Sequence, residues 1–500
     1  MQDDPIHGSI YDEIPYIFQA DARTYPGKTG ALGLLYGLEV KSLANARILE
    51  LGCAQGANII PLAERFKQAY CIGVDLSKDQ IASGKAIIQG MGLKNIELVC
   101  GDFQSLDLPL HSFDYIIAHG LFSWVPEALQ IPLLQTLKGY LAPNGLAHVS
   151  FNVLPAWSLR LGLKNYLTHL TDGLKSYTAK VDKAHAFLQD LQKTPSLQTL
   201  RWKHFFGEDL GLILRQSKHY LAHDFLEPEN HPIHYKDFYA LAKAQGLQIL
   251  GESQLKRSIL HQLHPAILGF YRSHGSSELE WNDLYDFLNF RTFRNMLLCH
   301  ETVELSAEPL PSSFTKLYFS SPLRPDTQPK SLDAASILKC IGRGELLVRN
   351  PFDKAVLLAL AEAYPNALSL EKLLEKTIHH LSHYGHSFEP KAIMDITGFL
   401  FYGYTKNQID FWTHPISVDT PSELCPLARS LNRYLAKNTQ YPLINEHYEM
   451  IHLSSGEKAV LQFLDGKHSL ADIAKNLKEK PKVILGALET LAQHVLLSHN

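Results

Sequence analysis

Between residues 46 and 152, five short apolar runs take turns with amphipathic stretches, and this alternation restricts the fold more than any other feature. ARILELG (46–52), YCIGVDLS (70–77), IELVCGD (96–102), FDYIIAHG (113–120) and GLAHVSFN (145–152) read as strands. Residues 58–67, 78–91 and 132–141 read as helices. Strands buried on both faces show continuous apolar runs, and strands joined by helices at this spacing lie parallel. The expected unit is α/β, with a parallel sheet covered by helices on both faces. In such sheets ligands bind beyond the carboxyl ends of the strands.

The rest of the chain sets boundaries on that unit. Five hundred residues imply two to four domains. Lys+Arg 47 against Asp+Glu 51 leaves a net charge of −4, so no basic field advertises nucleic acid. The start of the chain has neither a basic nor an apolar leader region, and no run of eighteen apolar residues is present, so neither a secretory signal nor a membrane span is expected. The six cysteines are scattered without a CxxC pair, which suits reduced thiols in a cytoplasm. After Phe151 the texture becomes helical over 158–220. A turn-rich break, PENHPIHY (228–235), precedes a helix at 236–245 and a short strand, LQILGE (247–252). Residues 306–333, rich in proline and serine, read as an exposed linker or long loop, and 334–420 as mostly helical.

The loop ILELGCAQGAN (48–58) joins the first strand to a helix, as a cofactor cradle does. The dinucleotide pattern G-x-G-x-x-G fails, because Ala54 and Ala57 stand at its second and third glycine places. Asp75 ends the second strand, 19 residues after Gly56, where a carboxylate can accept both hydroxyls of a ribose. Asp102 ends the third strand with Phe103 beside it, and His119 with Gly120 ends the fourth. Asp75 and Asp102 have an alternative reading as helix caps. Their common placement at strand ends favours a nucleoside site.

The ordered motifs E-L-G-C-A-Q-G, G-V-D-L-S, G-D-F and F-D-Y-I-I-A-H-G resemble those of class I S-adenosylmethionine-dependent methyltransferases. The resemblance implies a Rossmann-like sheet and S-adenosylmethionine as cofactor. It implies Glu50, Gly52 and Gly56 at the methionine part, Asp75 at the ribose and Asp102 with Phe103 at the adenine. Cys53, Leu76, His119 and Gly120 lie within the same motifs and join the cofactor set. Ala54 stands where most members have glycine. Its added methyl calls for a negative φ or a modest shift, with weaker cofactor binding as the expected result.

Further blocks resemble bacterial methyltransferases with a methyltransferase regulatory domain: Y-D-E-I-P-Y (11–16), T-Y-P (24–26), H-G-L-F-S-W-V-P (119–126) and S-F-N-V-L-P-A-W (150–157), with Tyr220–His300 as that domain. The tail from about 425 is similar to the C-terminal winged-helix-like domain of rickettsial-type protein lysine methyltransferases. Departures from that family are Tyr25 for histidine, Ala156 for glycine and Ser158 for histidine, at positions expected to border the substrate side. The implied layout is a lid segment (1–40), a methyltransferase domain (41–165), a regulatory domain (166–305), the linker (306–333), a helical middle domain (334–424) and a winged-helix-like domain (425–500).

Three functional readings follow. The first is N-methylation of lysine side chains on a protein partner, a surface or outer-membrane protein being one candidate. The second is methylation of a small molecule. The third is a cofactor-binding regulator or effector with little catalysis. Methyl transfer from a sulfonium mainly requires alignment. A lysine acceptor must also lose its proton, through desolvation or a nearby base. Tyr11, Tyr16, Phe122, Trp124 and Trp157 are the candidate aromatic walls, and His119 or Asp12 the candidate proton acceptor. For Trp124 and Trp157 a core role competes with this one, and for His119 a non-catalytic contact with the cofactor. HHLSHYGH (379–386) has zinc-compatible histidine spacing but lacks the glutamate of HExxH, and no metal site is expected from it. Residues 469–493 resemble helix-turn-helix, but PKVILGALETLAQ presents mostly apolar residues and is expected to pack on protein, not DNA.

Overall fold

A computed structural model describes residues 10–197, 199–255, 265–388, 392–418, 425–438 and 441–498. Its centre is a seven-stranded sheet with spatial order β3-β2-β1-β4-β5-β7-β6. The strands are β1 (Arg47–Leu51), β2 (Tyr70–Asp75), β3 (Ile96–Cys100), β4 (Phe113–Ala118), β5 (Leu141–Asn152), β6 (Leu247–Glu252) and β7 (Phe293–His300). The neighbours from β3 to β5 pair parallel, whereas β7 runs antiparallel to both β5 and β6.

The helices that bear on the site are α1 (Ile10–Glu13), α2 (Pro26–Leu35), α3 (Ile60–Arg65), α4 (Lys78–Met91), α5 (Glu127–Tyr140), α6 (Ala156–Leu170), α7 (Tyr177–Lys193), α8 (Leu200–Arg215), α9 (Lys218–Phe225) and α10 (Tyr235–Ala244). Local chemistry sets their ends. Ser77 caps α4 by accepting from the Gln80 N–H, and Gly92 closes it at φ 67°, a conformation glycine adopts without penalty. The expected helix over 58–67 is shorter, because the glycine loop occupies the chain up to Ile59.

Successive residues of β1 point to opposite faces and enter different cores. Leu49 and Leu51 pack with Phe151, Phe238 and Leu247, under α5 and α10. Ile48 faces the other way, into an apolar cluster shared with Leu32 of α2 and with Phe411, Leu431 and Leu488 far along the chain. The second half of the protein is therefore packed onto one face of the sheet.

The structure redraws several expected boundaries. The sheet does not end at β5: its last two strands come from the block assigned to the regulatory domain, and helices α6 to α9 are an insertion between β5 and β6. The sequence alone marks no strand at the apolar run 293–300, whose pairing partners lie far away in the chain. Residues 306–333 are not an exposed linker, since Phe314, Leu317, Phe319, Leu323 and Leu332 are buried. Proline and serine there shape a packed irregular segment whose Tyr318–Ser320 strand pairs with Asp410–Trp412. In the tail, helices Ser455–Leu461, Leu470–Leu477 and Pro481–Gln493 are tied back by single bridges, Leu427 to Asp465 and Ala428 to Leu497. Its two-stranded hairpin, Leu443–Ile444 with Met450–Ile451, precedes those helices. Among the described residues no helix is long and apolar enough to cross a membrane.

Candidate active site at the strand ends

The loop after β1 turns sharply, with Gly52 at φ 71° and Gly56 at φ 82°, values that a side chain would strain. Four of its N–H groups are already engaged. Gly52 and Cys53 both donate to the Val74 carbonyl, at 2.8 and 3.1 Å. Ala54 donates to Asp75 Oδ2 at 2.8 Å, and Gly56 donates to the Cys53 carbonyl at 2.8 Å. A diphosphate cradle needs such donors free. The loop therefore suits a ligand that it holds by shape and by neighbouring carboxylates. Ala54 adopts φ 49°, so the expected negative φ is corrected: the alanine takes the glycine-like left-handed turn, at about 1 kcal/mol of strain. Its hydrogen bond to Asp75 holds it there.

Asp75 is fixed from two sides. Oδ2 accepts from Ala54 and Oδ1 from the Ser77 N–H at 2.9 Å. The helix cap of α4 is Ser77, not Asp75. Asp102 does cap, accepting from the Gln104 N–H at 2.9 Å at the start of a short turn of helix, with Phe103 buried behind it. Leu76, between the two carboxylates in strand order, is 71% exposed, unusual for a leucine at the mouth of a sheet.

Glu50 is the most telling residue. It is buried at 2% exposure, and Oε1 accepts from Asn58 Nδ2 at 2.8 Å. Oε2 has no partner among the described residues. Burial pushes its pKa up to about 8, with Asp75 adding to the rise and Asn58 opposing it. A buried, half-satisfied carboxyl is costly unless something else completes it. Cys53, buried next to it, has its thiol pushed well up by burial and is inert as a nucleophile.

Residues absent from the sequence reading complete this network. Asn58 Oδ1 accepts from the Asp21 N–H at 2.8 Å. Asp21 Oδ2 lies 3.1 Å from His119 Nε2, and Asp21 also pairs with Arg23. Burial alone would raise Asp21, but His119 and Arg23 hold its carboxyl well below the usual range. With Asp21 ionised, His119 Nε2 donates to it, while Nδ1 has no partner among the described residues; in the neutral tautomer that donates through Nε2, Nδ1 is the lone-pair nitrogen. Gly120 donates to Ser150 Oγ at 2.7 Å, which fixes the turn after β4. The one clue to Asp21 is that residues 1–26 carry five acids, Asp3, Asp4, Asp12, Glu13 and Asp21, against the single Arg23, a bias that composition alone cannot separate from a solvated face. Asn58 carried no signal.

The aromatic candidates divide. Tyr11 and Tyr16 both pack on the imidazole of His223 on α9, with ring centroids at 5.0 and 3.9 Å and near-parallel planes, and lie 5.9 Å from each other. His223 Nε2 lies 2.8 Å from the Ile14 carbonyl, and burial lowers its pKa to about 4. Gln55 Nε2 donates to the Tyr16 carbonyl at 2.7 Å, joining this segment to the glycine loop. Trp124 meets Trp157 edge-on at 6.4 Å, and the buried Lys164 stands 5.9 Å from the Trp124 ring. Trp157 is itself 1% exposed, with an indole N–H that has no partner among the described residues. Phe122 is corrected to a core residue, packed against the stacked pair Phe151 and Phe238. Asp12 lies in α1, and its side chain is outside the described residues.

One other expectation shifts. Tyr25 does not border a substrate side: it is fully buried, stacked on Tyr448 at 4.3 Å and bonded to His414 Nε2 at 2.9 Å. Its family departure repacks the junction with the second half of the chain. The histidines at 379–386 lie on or just after helix Leu370–His383, and His386 stands 3.6 Å from Asp333. Among the described residues no three metal-ligating side chains come together.

The sheet order with its antiparallel β7, the glycine turn and the acids at successive strand ends define a class. The chain belongs to the class I S-adenosylmethionine-dependent methyltransferases that carry a methyltransferase regulatory domain. Residues 48–145 match the methyltransferase domain family, and residues 217–300 match the family described as predicted methyltransferase regulatory domain. The second match contains β6 and β7, so this "regulatory" block completes the catalytic sheet. An uncharacterized protein of Rickettsia prowazekii is 31% identical over 240 residues, 48% of this chain and 96% of its own length. Another from the same organism is 27% identical over 468 residues, 92% of this chain and 83% of its own. The structure of PKMT2 from Rickettsia typhi in complex with AdoHcy superposes with a TM-score of 0.84 at 24% identity, covering 97% of this chain and all of that one. That likeness is one of fold.

Proposed function

We propose that the protein binds S-adenosylmethionine at the ends of β1 to β4 and transfers its methyl group to lysine side chains of a protein substrate. The observation that carries the cofactor reading is Glu50: buried, with one carboxyl oxygen lacking a partner among the described residues, beside an Asp75 that two backbone N–H groups fix in place. An amino group is the complement of the first and a ribose diol of the second. The exposed Leu76 offers an apolar surface to an adenine, with Asp102 and Phe103 next to it. Cys53, Gly52, Gly56 and Gly120 shape the wall. S-adenosylmethionine supplies a methyl group on a sulfonium, which needs alignment more than activation. The AdoHcy bound to PKMT2 of Rickettsia typhi supports the same cofactor here.

The acceptor side is suited to a cation that must become neutral. Tyr11, Tyr16, Trp124 and Trp157 form aromatic walls that desolvate an ammonium and lower its pKa. His119 Nδ1 is the proton acceptor, oriented by the ionised Asp21 on its other nitrogen. Asp12 lies in the same lid segment as a second acid. The protein nature of the acceptor rests on the fold shared with PKMT2 along nearly the full chain.

The test is transfer of isotopically labelled methyl from S-adenosylmethionine into bacterial protein, followed by hydrolysis and amino-acid analysis. Label in ε-N-methyllysine is the expected result. Label confined to small molecules, or no label beside demonstrated cofactor binding, contradicts the lysine reading.

A further inference from the structure

The hairpin of the C-terminal region reaches the cofactor site through a continuous line of hydrogen bonds. Tyr448, between the strands Leu443–Ile444 and Met450–Ile451, donates its hydroxyl to the backbone carbonyl of Asn58. Asn58 in turn holds Glu50 Oε1 with its side-chain amide and the lid segment through the Asp21 N–H, both at 2.8 Å. Tyr448 is 3% exposed and sits at φ 63°, a left-handed conformation that a bulky residue keeps only when its surroundings enforce it. Stacking on Tyr25 at 4.3 Å is part of that enforcement. Burial raises the phenol well above its ordinary value, so it remains a donor throughout the neutral range.

A second set of contacts makes the junction rigid. Arg65, at the end of the helix that follows the glycine loop, donates to Tyr25 Oη at 2.7 Å and to the Glu446 carbonyl at 2.9 Å, and pairs with the Glu446 carboxylate. Arg429 bridges Glu446 and Glu64 at 2.5 and 2.8 Å. Burial would raise Glu446, but Arg429 and Arg65 hold it down at about 2.

We propose that Tyr448 is a positioning residue of the cofactor site: it fixes Asn58, and through it Glu50, for the amino-acid end of the cofactor, so that the C-terminal region is part of the binding site. This rests on the cofactor reading above. Asn58 has only one arrangement in which its amide group serves Glu50 and its oxygen serves Asp21, and the Tyr448 hydroxyl selects the backbone position that permits it. The adenosine end, held by Asp75 and Asp102, lies outside this line.

Calorimetric titration of the full chain with two ligands separates the effects. S-adenosylhomocysteine carries the amino-acid end, whereas 5′-methylthioadenosine lacks it. Tyr448→Phe keeps the ring stack and removes only the donor, and Asn58→Ala cuts the line from its other end. Both are expected to weaken S-adenosylhomocysteine about tenfold, the weight of one buried hydrogen bond, and to leave 5′-methylthioadenosine within about twofold. Unchanged S-adenosylhomocysteine affinity in Tyr448→Phe overturns the proposal. So does an equal loss for both ligands, which marks general loosening. Failure of the unmodified protein to bind either ligand refutes the cofactor reading, and the positioning claim with it.

Discussion

The proposed cofactor side and the proposed acceptor side of this site are built in different ways. The cofactor side is written in short contiguous pieces: each strand end delivers its own residues, and Glu50, Gly52 and Gly56 lie within seven positions of one another. The acceptor side is assembled from distant places, with Tyr11 and Tyr16 before the sheet, Trp124 after β4, Trp157 on α6 and His223 on α9. The first is rigid because a sheet sets it. The second depends on how a lid segment and an inserted helical block pack together, and so it is where substrate choice can vary without disturbing the cofactor.

This contrast can be broken by substitution. The largest effect is expected from Asp75→Ala. It removes the ribose acceptor and the anchor of both Ala54 and Ser77, and S-adenosylhomocysteine affinity should fall by about a hundredfold, some 3 kcal/mol, in a titration. Retained affinity would mean that the strand ends are not the cofactor site. Next, His223→Ala should remove the ring against which Tyr11 and Tyr16 both pack and lower kcat by about tenfold, while cofactor Kd stays within about twofold. If Kd moved equally, the two sides would not be separate.

A pH series sharpens the cofactor side. Glu50 has a folded pKa raised to about 8, so the folded protein keeps a proton that the unfolded chain releases above the ordinary value of 4.5. The corresponding stability is fully present below that ordinary value and is lost as pH rises through about 8. Glu50→Gln should flatten this slope in denaturant titrations of the cofactor-free protein. S-adenosylhomocysteine should bind the unmodified protein more tightly as pH rises from 6 toward 8, because an ammonium prefers the carboxylate. The smallest effect is expected from Ala54→Gly, which relieves the turn at φ 49° and should stabilise by about 1 kcal/mol in the same assay.

The same contrast explains what was legible in the sequence. The five parallel strands, Asp75 and the failure of the dinucleotide pattern could be read because periodicity and spacing are local. Strand β7 could not, since its pairing partners are β5 and β6, about 150 and 50 residues away. Asn58 and Asp21 matter only through contacts across the fold, and a single asparagine or aspartate in a loop looks like any other. Tyr25 misled for the opposite reason: its motif was recognisable, but its neighbours, Tyr448, His414 and Arg65, come from elsewhere in the chain. Composition misled at 306–333, where proline and serine sit among buried aromatics.

The central claim is that the ends of β1 to β4 hold S-adenosylmethionine. A crystal structure with S-adenosylhomocysteine tests it most directly. The account predicts ribose hydroxyls on Asp75 and the amino group on the unpartnered oxygen of Glu50. A ligand bound elsewhere, or turned so that Glu50 Oε2 still lacks a partner, would contradict it.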